Sequence, residues 1–152
     1  MFTFAYYVTG HGFGHATRVC AVAKCLVAAG HTVHIVTGAP GSIFTSEIPH
    51  PSRLKLRNVV LDCGAVQTDA LTVDCEASLR KYESLPDVVE REAAWLRSIG
   101  ADVVVVDVAP MACTAARRAG IPAVVTSNFS WDYIYAEYVN RVGGRFRLPV
   151  RP

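Results

Sequence analysis

A chain of 152 residues has room for one domain with one sizeable core, and not for two. With 51% of its residues apolar and 18% charged, it suits a compact globule rather than a disordered tail. The net charge is only +2, and Arg141, Arg145, Arg147 and Arg151 fall within the last dozen residues, so the rest is slightly acidic and offers no basic face for nucleic acid.

The apolar run Phe2–Val8 has strand length and stops at a glycine cluster. It lacks a basic flank and is too short to be a signal peptide or a membrane span. A helix is predicted over Ala16–Ala29, with Val19, Val22, Leu26 and Ala29 on its apolar face, Arg18 and Lys24 away from its centre, and Gly30 as its stop. Thr32–Thr37 is a second, β-branched strand. Leu54–Asp62 alternates Leu54 and Leu56 against Lys55 and Arg57, the mark of a strand with one wetter face. The loop Cys63–Val73 is long for a compact domain, as functional loops often are. Asp74 opens a helix over Cys75–Glu83. Pro86 interrupts it, and Ser84 with Asp87 caps a further helix over Leu85–Ser98.

Val103–Val106, apolar on both faces, reads as a central strand of a parallel sheet. Pro110 starts a helix that Arg117, Arg118 and Gly120 close, and Ala123–Thr126 is the fifth strand. A last helix is predicted from Trp131, Ile134, Tyr135, Tyr138, Val139 and Val142, stopped by Gly143. Residues 1–142 thus form the α/β domain, and residues 143–152 a loosely ordered basic tail.

Strands alternating with helices imply a doubly wound, mainly parallel five-stranded sheet, and right-handed crossovers favour the order 3-2-1-4-5. Ligands of such sheets bind where the winding reverses, outside the carboxyl ends of the strands. The loop after strand 1 and the residue ending strand 4 should therefore share a crevice.

That first loop, Thr9 to His15, carries Gly10, Gly12 and Gly14 with His11 and His15. Its glycines allow close approach of a ligand, and the N-terminus of the following helix favours a phosphate, a carboxylate or a sugar hydroxyl. The spacing is neither the dinucleotide fingerprint nor a P-loop, which ranks an NAD domain low. His15 and Asp107 are the candidate catalytic pair, because a carboxylate beside an imidazole fixes its tautomer and supports its protonated form. Asp62, Gln67 and Asp69 after strand 3, and Ser127 and Asn128 after strand 5, either line a polar pocket or cap turns. His11 and His15 stand four apart, but in a loop and with no third ligand, so no metal is expected. The cysteines (Cys20, Cys25, Cys63, Cys75, Cys113) form no C-x-x-C pair, and at least three fall where burial is expected. Reduced thiols favour an intracellular, cytoplasmic setting.

The run Gly14–Val33 resembles the start of a GT-B glycosyltransferase N-terminal domain, a Rossmann-like fold. The resemblance implies that His15 deprotonates an acceptor hydroxyl and that Asp107 orients it. Val8–Arg18, Val36–Pro40, Leu61–Asp74 and Asn128–Tyr138 resemble more closely the N-terminal region of the plant L-arabinokinase family. That family phosphorylates L-arabinose at C1 with ATP, through a GHMP-type kinase domain placed after this region. The kinase phosphate loop and the second GT-B domain are not in this sequence, and the segment between Tyr82 and Trp95 is shorter than the family's. The resemblance therefore implies a truncated or excised module without a cofactor of its own, ATP and Mg²⁺ belonging to the kinase domain. Such a module would bind a sugar or sugar-phosphate through the first loop, Arg18, Gln67, Asp69, Ser127 and Asn128, beside a C-terminal domain or a partner chain. The alternative is the acceptor-binding half of a split GT-B transferase, with His15 as general base.

Overall fold

The computed structural model describes residues 1–49, 52–62, 64–69, 72–83 and 86–131, together with Tyr133 and Ala136. Five strands, β1 (Thr3–Val8), β2 (Thr32–Thr37), β3 (Leu54–Asn58), β4 (Val103–Asp107) and β5 (Ala123–Val125), form one parallel sheet in the order β3-β2-β1-β4-β5. The doubly wound arrangement read from the sequence is thus the observed one. Helices α1 (Phe13–Ala28), α2 (Ser42–Glu47), α3 (Cys75–Glu83), α4 (Pro86–Ser98) and α5 (Pro110–Ala119) connect the strands.

Strand alternation divides the core between the two faces of the sheet. Tyr6, Val8, Val33 and Ile35 pack with α1 and with Phe44 of α2, whereas Ala5, Tyr7, Val36, Val104 and Val106 pack with α4 and α5. Right-handed crossovers running in opposite directions from β1 require helices on opposite faces. Gly120, in the left-handed region at φ 75, closes α5. Asp74 caps α3, its Oδ1 accepting from the Ala77 N–H at 2.8 Å.

Several local readings are corrected. Helix α1 starts at Phe13 rather than Ala16, so Gly14 and His15 stand in its first turn and not in a loop. The turn is made by Gly12 alone, at φ 78, which leaves the chain free to enter the helix at once. The buried face of α1 is Ala16, Val19, Cys20, Ala23 and Val27, with Val22 40% exposed and Ala29 exposed. Small residues win that face because they let the helix approach the sheet closely. The six-residue α2 had no apolar period to betray it and is held by buried Phe44. Strand β3 ends four residues early, at Asn58. On it Leu54 is buried and Lys55 exposed as expected, but Leu56 is 42% exposed while Arg57 folds inward to a buried glutamate, so the alternation breaks in the strand's second half. Strand β4 is one residue longer than expected and β5 one shorter. Of the cysteines, Cys20 is buried, Cys75 and Cys113 are half-buried, Cys25 is exposed, and all four are free. Burial pushes the Cys20 and Cys113 thiols up. Cys63, the Ser84 cap, most of the predicted final helix and the tail lie outside the described residues.

Burial, and then the Lys55 ammonium on the neighbouring strand, hold His34 below the ordinary histidine range. The unfolded chain therefore takes up a proton on His34 at a higher pH than the folded chain, and stability falls as pH drops through and below that ordinary range. Urea midpoints measured between about pH 7.5 and about pH 5 should fall less steeply for His34→Gln than for the unaltered chain. Equal slopes would contradict this.

Candidate functional site

The site is built where β1 and β4 end side by side. Their register pairs Val8 with Asp107, and the Thr9 N–H continues the ladder by donating to the Asp107 carbonyl at 3.1 Å. Gly12 then turns the chain into α1, which begins with no side chain capping its first N–H groups. One turn of helix carries His15 and Arg18, three apart, to the end of β4.

Asp107 is fully buried, His15 is 19% and Arg18 38% exposed. His15 Nδ1 lies 2.9 Å from Asp107 Oδ1. Arg18 grips the same carboxylate from the other side, its Nη2 at 2.7 Å from Oδ1 and 2.8 Å from Oδ2, and its Nε at 3.1 Å from Oδ2. Arg18 Nη2 also lies 3.2 Å from His15 Nδ1, but the shorter contact is to a carboxylate, which when ionised can only accept. With the neutral ring's proton on Nδ1 to satisfy it, Nε2 presents a lone pair. Nε2 has no hydrogen-bond partner among the described residues. The arrangement can accept a hydroxyl proton into a hydrogen bond, and it offers the helix N-terminus to a negatively charged group.

The other expected site residues divide. Asn128 joins the cluster, its Oδ1 accepting from Arg18 Nη1 at 3.3 Å. Ser127 turns the chain instead: its hydroxyl donates to the Phe129 carbonyl at 2.6 Å and accepts from the Phe129 N–H at 3.3 Å. Gln67 and Asp69 are exposed in a hairpin closed by a Gln67–Val73 bridge, where Asp69 Oδ1 accepts from the Thr72 N–H at 2.9 Å. Neither is brought to His15 by a described contact. Asp62 is buried, with Oδ2 lacking a hydrogen-bond partner among the described residues. Gly10 needs to be small because the Gly38 backbone lies 3.3 Å from where its Cβ would stand. His11 covers Gly64, so the loops after β1 and β3 meet at the rim. Among the described residues, no three or more His, Cys, Asp or Glu are gathered as a metal would require.

Two features escaped the sequence reading. Phe129 packs edge-on to His15, with ring centroids 5.8 Å apart. Val108, directly after Asp107, has φ 57, a conformation nothing in its residue type announces. A cavity of about 430 Å³ lies alongside, lined by Val125, Ser127, Asn128, Phe129, Ser130 and Tyr133.

A parallel sheet wound both ways, with its polar crevice at the point of reversal, defines the doubly wound class of α/β domains to which the halves of GT-B glycosyltransferases belong. Residues 13–151 match the glycosyl transferase 4-like domain, and the chain belongs to that family. Over 149 residues it is 62% identical to L-arabinokinase from Arabidopsis thaliana, a match covering 95% of this chain and 14% of that protein. The chain therefore spans about one-seventh of that relative's length. Among solved structures it is similar to the glycotransferase of kitacinnamycin, at 22% identity and a TM-score of 0.63, over 92% of this chain and 34% of that one. It is also similar to UGT2 of Phytolacca americana, complexed with UDP-2fluoro-glucose and pterostilbene, at 15% identity and a TM-score of 0.59, over 93% and 35% of the two chains. These likenesses establish the fold as that of a GT-B N-terminal region.

A Cβ on Gly64 would stand 1.9 Å from His11 Nε2, and Gly64 has φ 54. Gly64→Ala should therefore cost about 1 kcal/mol or more in denaturant stability and swing the His11 ring away from the rim. Unaltered stability together with an unmoved His11 resonance would contradict this packing.

Proposed function

We propose that this chain is the glycosyltransferase-like module of an L-arabinokinase-type protein, and that the crevice at His15 holds a sugar or a sugar-phosphate. One observation carries the reading: a buried carboxylate paired with Arg18 contacts an imidazole whose Nε2 has no hydrogen-bond partner among the described residues. A sugar hydroxyl donates to that nitrogen, and the Asn128 amide and the first N–H groups of α1 serve further hydroxyl or phosphate oxygens. ATP-dependent phosphorylation of L-arabinose at C1, with Mg²⁺, would then be the work of another part of the parent protein. The module's partners are a following domain or a separate chain. No helix among the described residues is long and apolar enough to cross a membrane, and four free cysteines suit a reducing cytoplasm.

The 2.9 Å contact between His15 and Asp107 also favours a second reading, the acceptor-binding half of a split GT-B transferase. There Nε2 would take the proton of an acceptor hydroxyl as its oxygen attacks the sugar donor, with Asp107 supporting the imidazolium. Arg18 weighs against this reading, because it already neutralises much of the charge that Asp107 would lend to that imidazolium.

Titration calorimetry of the chain with L-arabinose, its 1-phosphate and common nucleotide sugars tests the first reading. Binding of at least one is expected, and His15→Ala or Asp107→Asn should weaken it at least tenfold, about 1.4 kcal/mol. Silence towards all of them would overturn it. For the second reading, a copurifying partner chain and transfer activity lost in His15→Ala are the expected results. A chain that stays alone in lysate would contradict it.

A further inference from the structure

We propose that Val108, Trp131 and Phe129 are positioning residues that fix the plane of the His15 imidazole from outside the polar cluster. The inference rests on the reading of the crevice as a binding site, and it concerns how that site keeps its shape before any ligand arrives.

A single hydrogen bond from Nδ1 to Asp107 sets where that nitrogen lies and leaves the ring free to pivot about the contact. The terminal torsion of histidine is broad and does little to stop it. The edge-to-face contact with Phe129, with ring planes at 72°, removes that freedom. Phe129 is itself placed from two sides. Ser127 bonds its backbone N–H and carbonyl, and Trp131 packs edge-to-face against its ring at 5.7 Å and 86°. The Thr126 hydroxyl, paired with the Tyr6 hydroxyl at 2.9 Å, anchors the start of this segment to β1.

Trp131 in turn is tied back to the end of β4. Its indole Nε1–H donates to the carbonyl of Val108 at 3.2 Å. Val108 is buried, and it is the one described non-glycine residue with positive φ, a conformation that a β-branched side chain adopts only when its surroundings impose it. Strain at this position has a geometric use. The residue after the carboxylate turns its carbonyl to the indole, so the carboxylate and the aromatic wall are referenced to the same two residues, Asp107 and Val108. His15 is thus held by both arms of one strained turn.

The test is long-range ¹⁵N–¹H spectroscopy of the histidine rings in the ligand-free full chain. Trp131→Phe keeps an aromatic ring and removes the indole donor, and Phe129→Leu keeps apolar bulk and removes the ring edge. In both, the His15 ring signals should shift and broaden as the ring samples more orientations. His34, on β2 and packed against Trp95, should keep its signals and serves as the internal control. His15 signals unchanged in both variants would overturn the proposal, as would equal changes at His34, which would mark a general loosening. A second measurement addresses the strain. Val108→Gly should melt at a higher temperature than Val108→Ala, the reverse of the usual order, because only glycine is at ease at this φ. The ordinary order would overturn the part assigned to Val108. Because no ligand is present in these experiments, calorimetric silence towards sugars would count against the binding reading alone.

Discussion

A carboxylate with no solvent exposure stands at the end of β4, and the crevice is organised by what compensates its charge. Removing an ion from water costs several kcal/mol even after the surroundings relax, so a buried Asp107 is tolerated only with well-placed partners. Arg18 supplies a forked set of donors and His15 a single one, both from the first turns of the same helix. That helix can reach the carboxylate only because β1 and β4 are neighbours in the sheet, which brings together His15 and Asp107, 92 residues apart in the chain. The parallel pairing of Val8 with Asp107 is therefore the constraint from which the site's geometry follows.

A second buried charge shows the same economy on the opposite face. Glu92 of α4, wholly buried, accepts from the Tyr7 hydroxyl at 3.0 Å and pairs with Arg57 of β3, whose guanidinium lies 4.2 Å from the centre of the Trp95 ring. Burial, and then the Glu92 charge, hold the Tyr7 hydroxyl far above its ordinary range, so it stays a donor. The cluster draws the edge strand β3 towards the core, which explains why Arg57 turns inward and Leu56 outward. Glu92 Oε1 is left without a hydrogen-bond partner among the described residues. The two charges divide the labour: one secures the sheet's edge, the other shapes the crevice.

The sheet was legible because its signals are local and redundant. Four consecutive valines mark a strand buried on both faces, glycines close the helices, and the handedness of the crossovers then leaves few orders. The approach of His15 to Asp107 was legible for the same reason, since topology alone puts both at one edge. Finer features depend on tertiary contacts that no short window carries. Arg57 reads as the polar half of an alternation until Glu92 is known to lie beneath it. Val22 belongs to an apolar face in projection, yet Ala16, Cys20 and Ala23 let the helix roll onto their side. Val108 gives no sign of its left-handed backbone, since valine is among the residues least disposed to it. Gln67 and Asp69 share an edge with His15 in topology, while the bridge between Gln67 and Val73 is a contact that no short window announces.

The crevice joins a neutralised carboxylate, an oriented imidazole and a helix N-terminus, the combination on which the proposed sugar site rests. Its geometry requires that Arg18 and Asp107 compensate each other inside the fold. A double-mutant cycle on urea stability, with Arg18→Met, Asp107→Asn and the pair together, measures this most directly. Arg18→Met alone should cost about 2 kcal/mol, less than a fully buried pair would because the guanidinium is partly exposed. In the Asp107→Asn background most of that cost should vanish. Strictly additive losses would show that the guanidinium does not compensate this carboxylate, and the account of the site would fail.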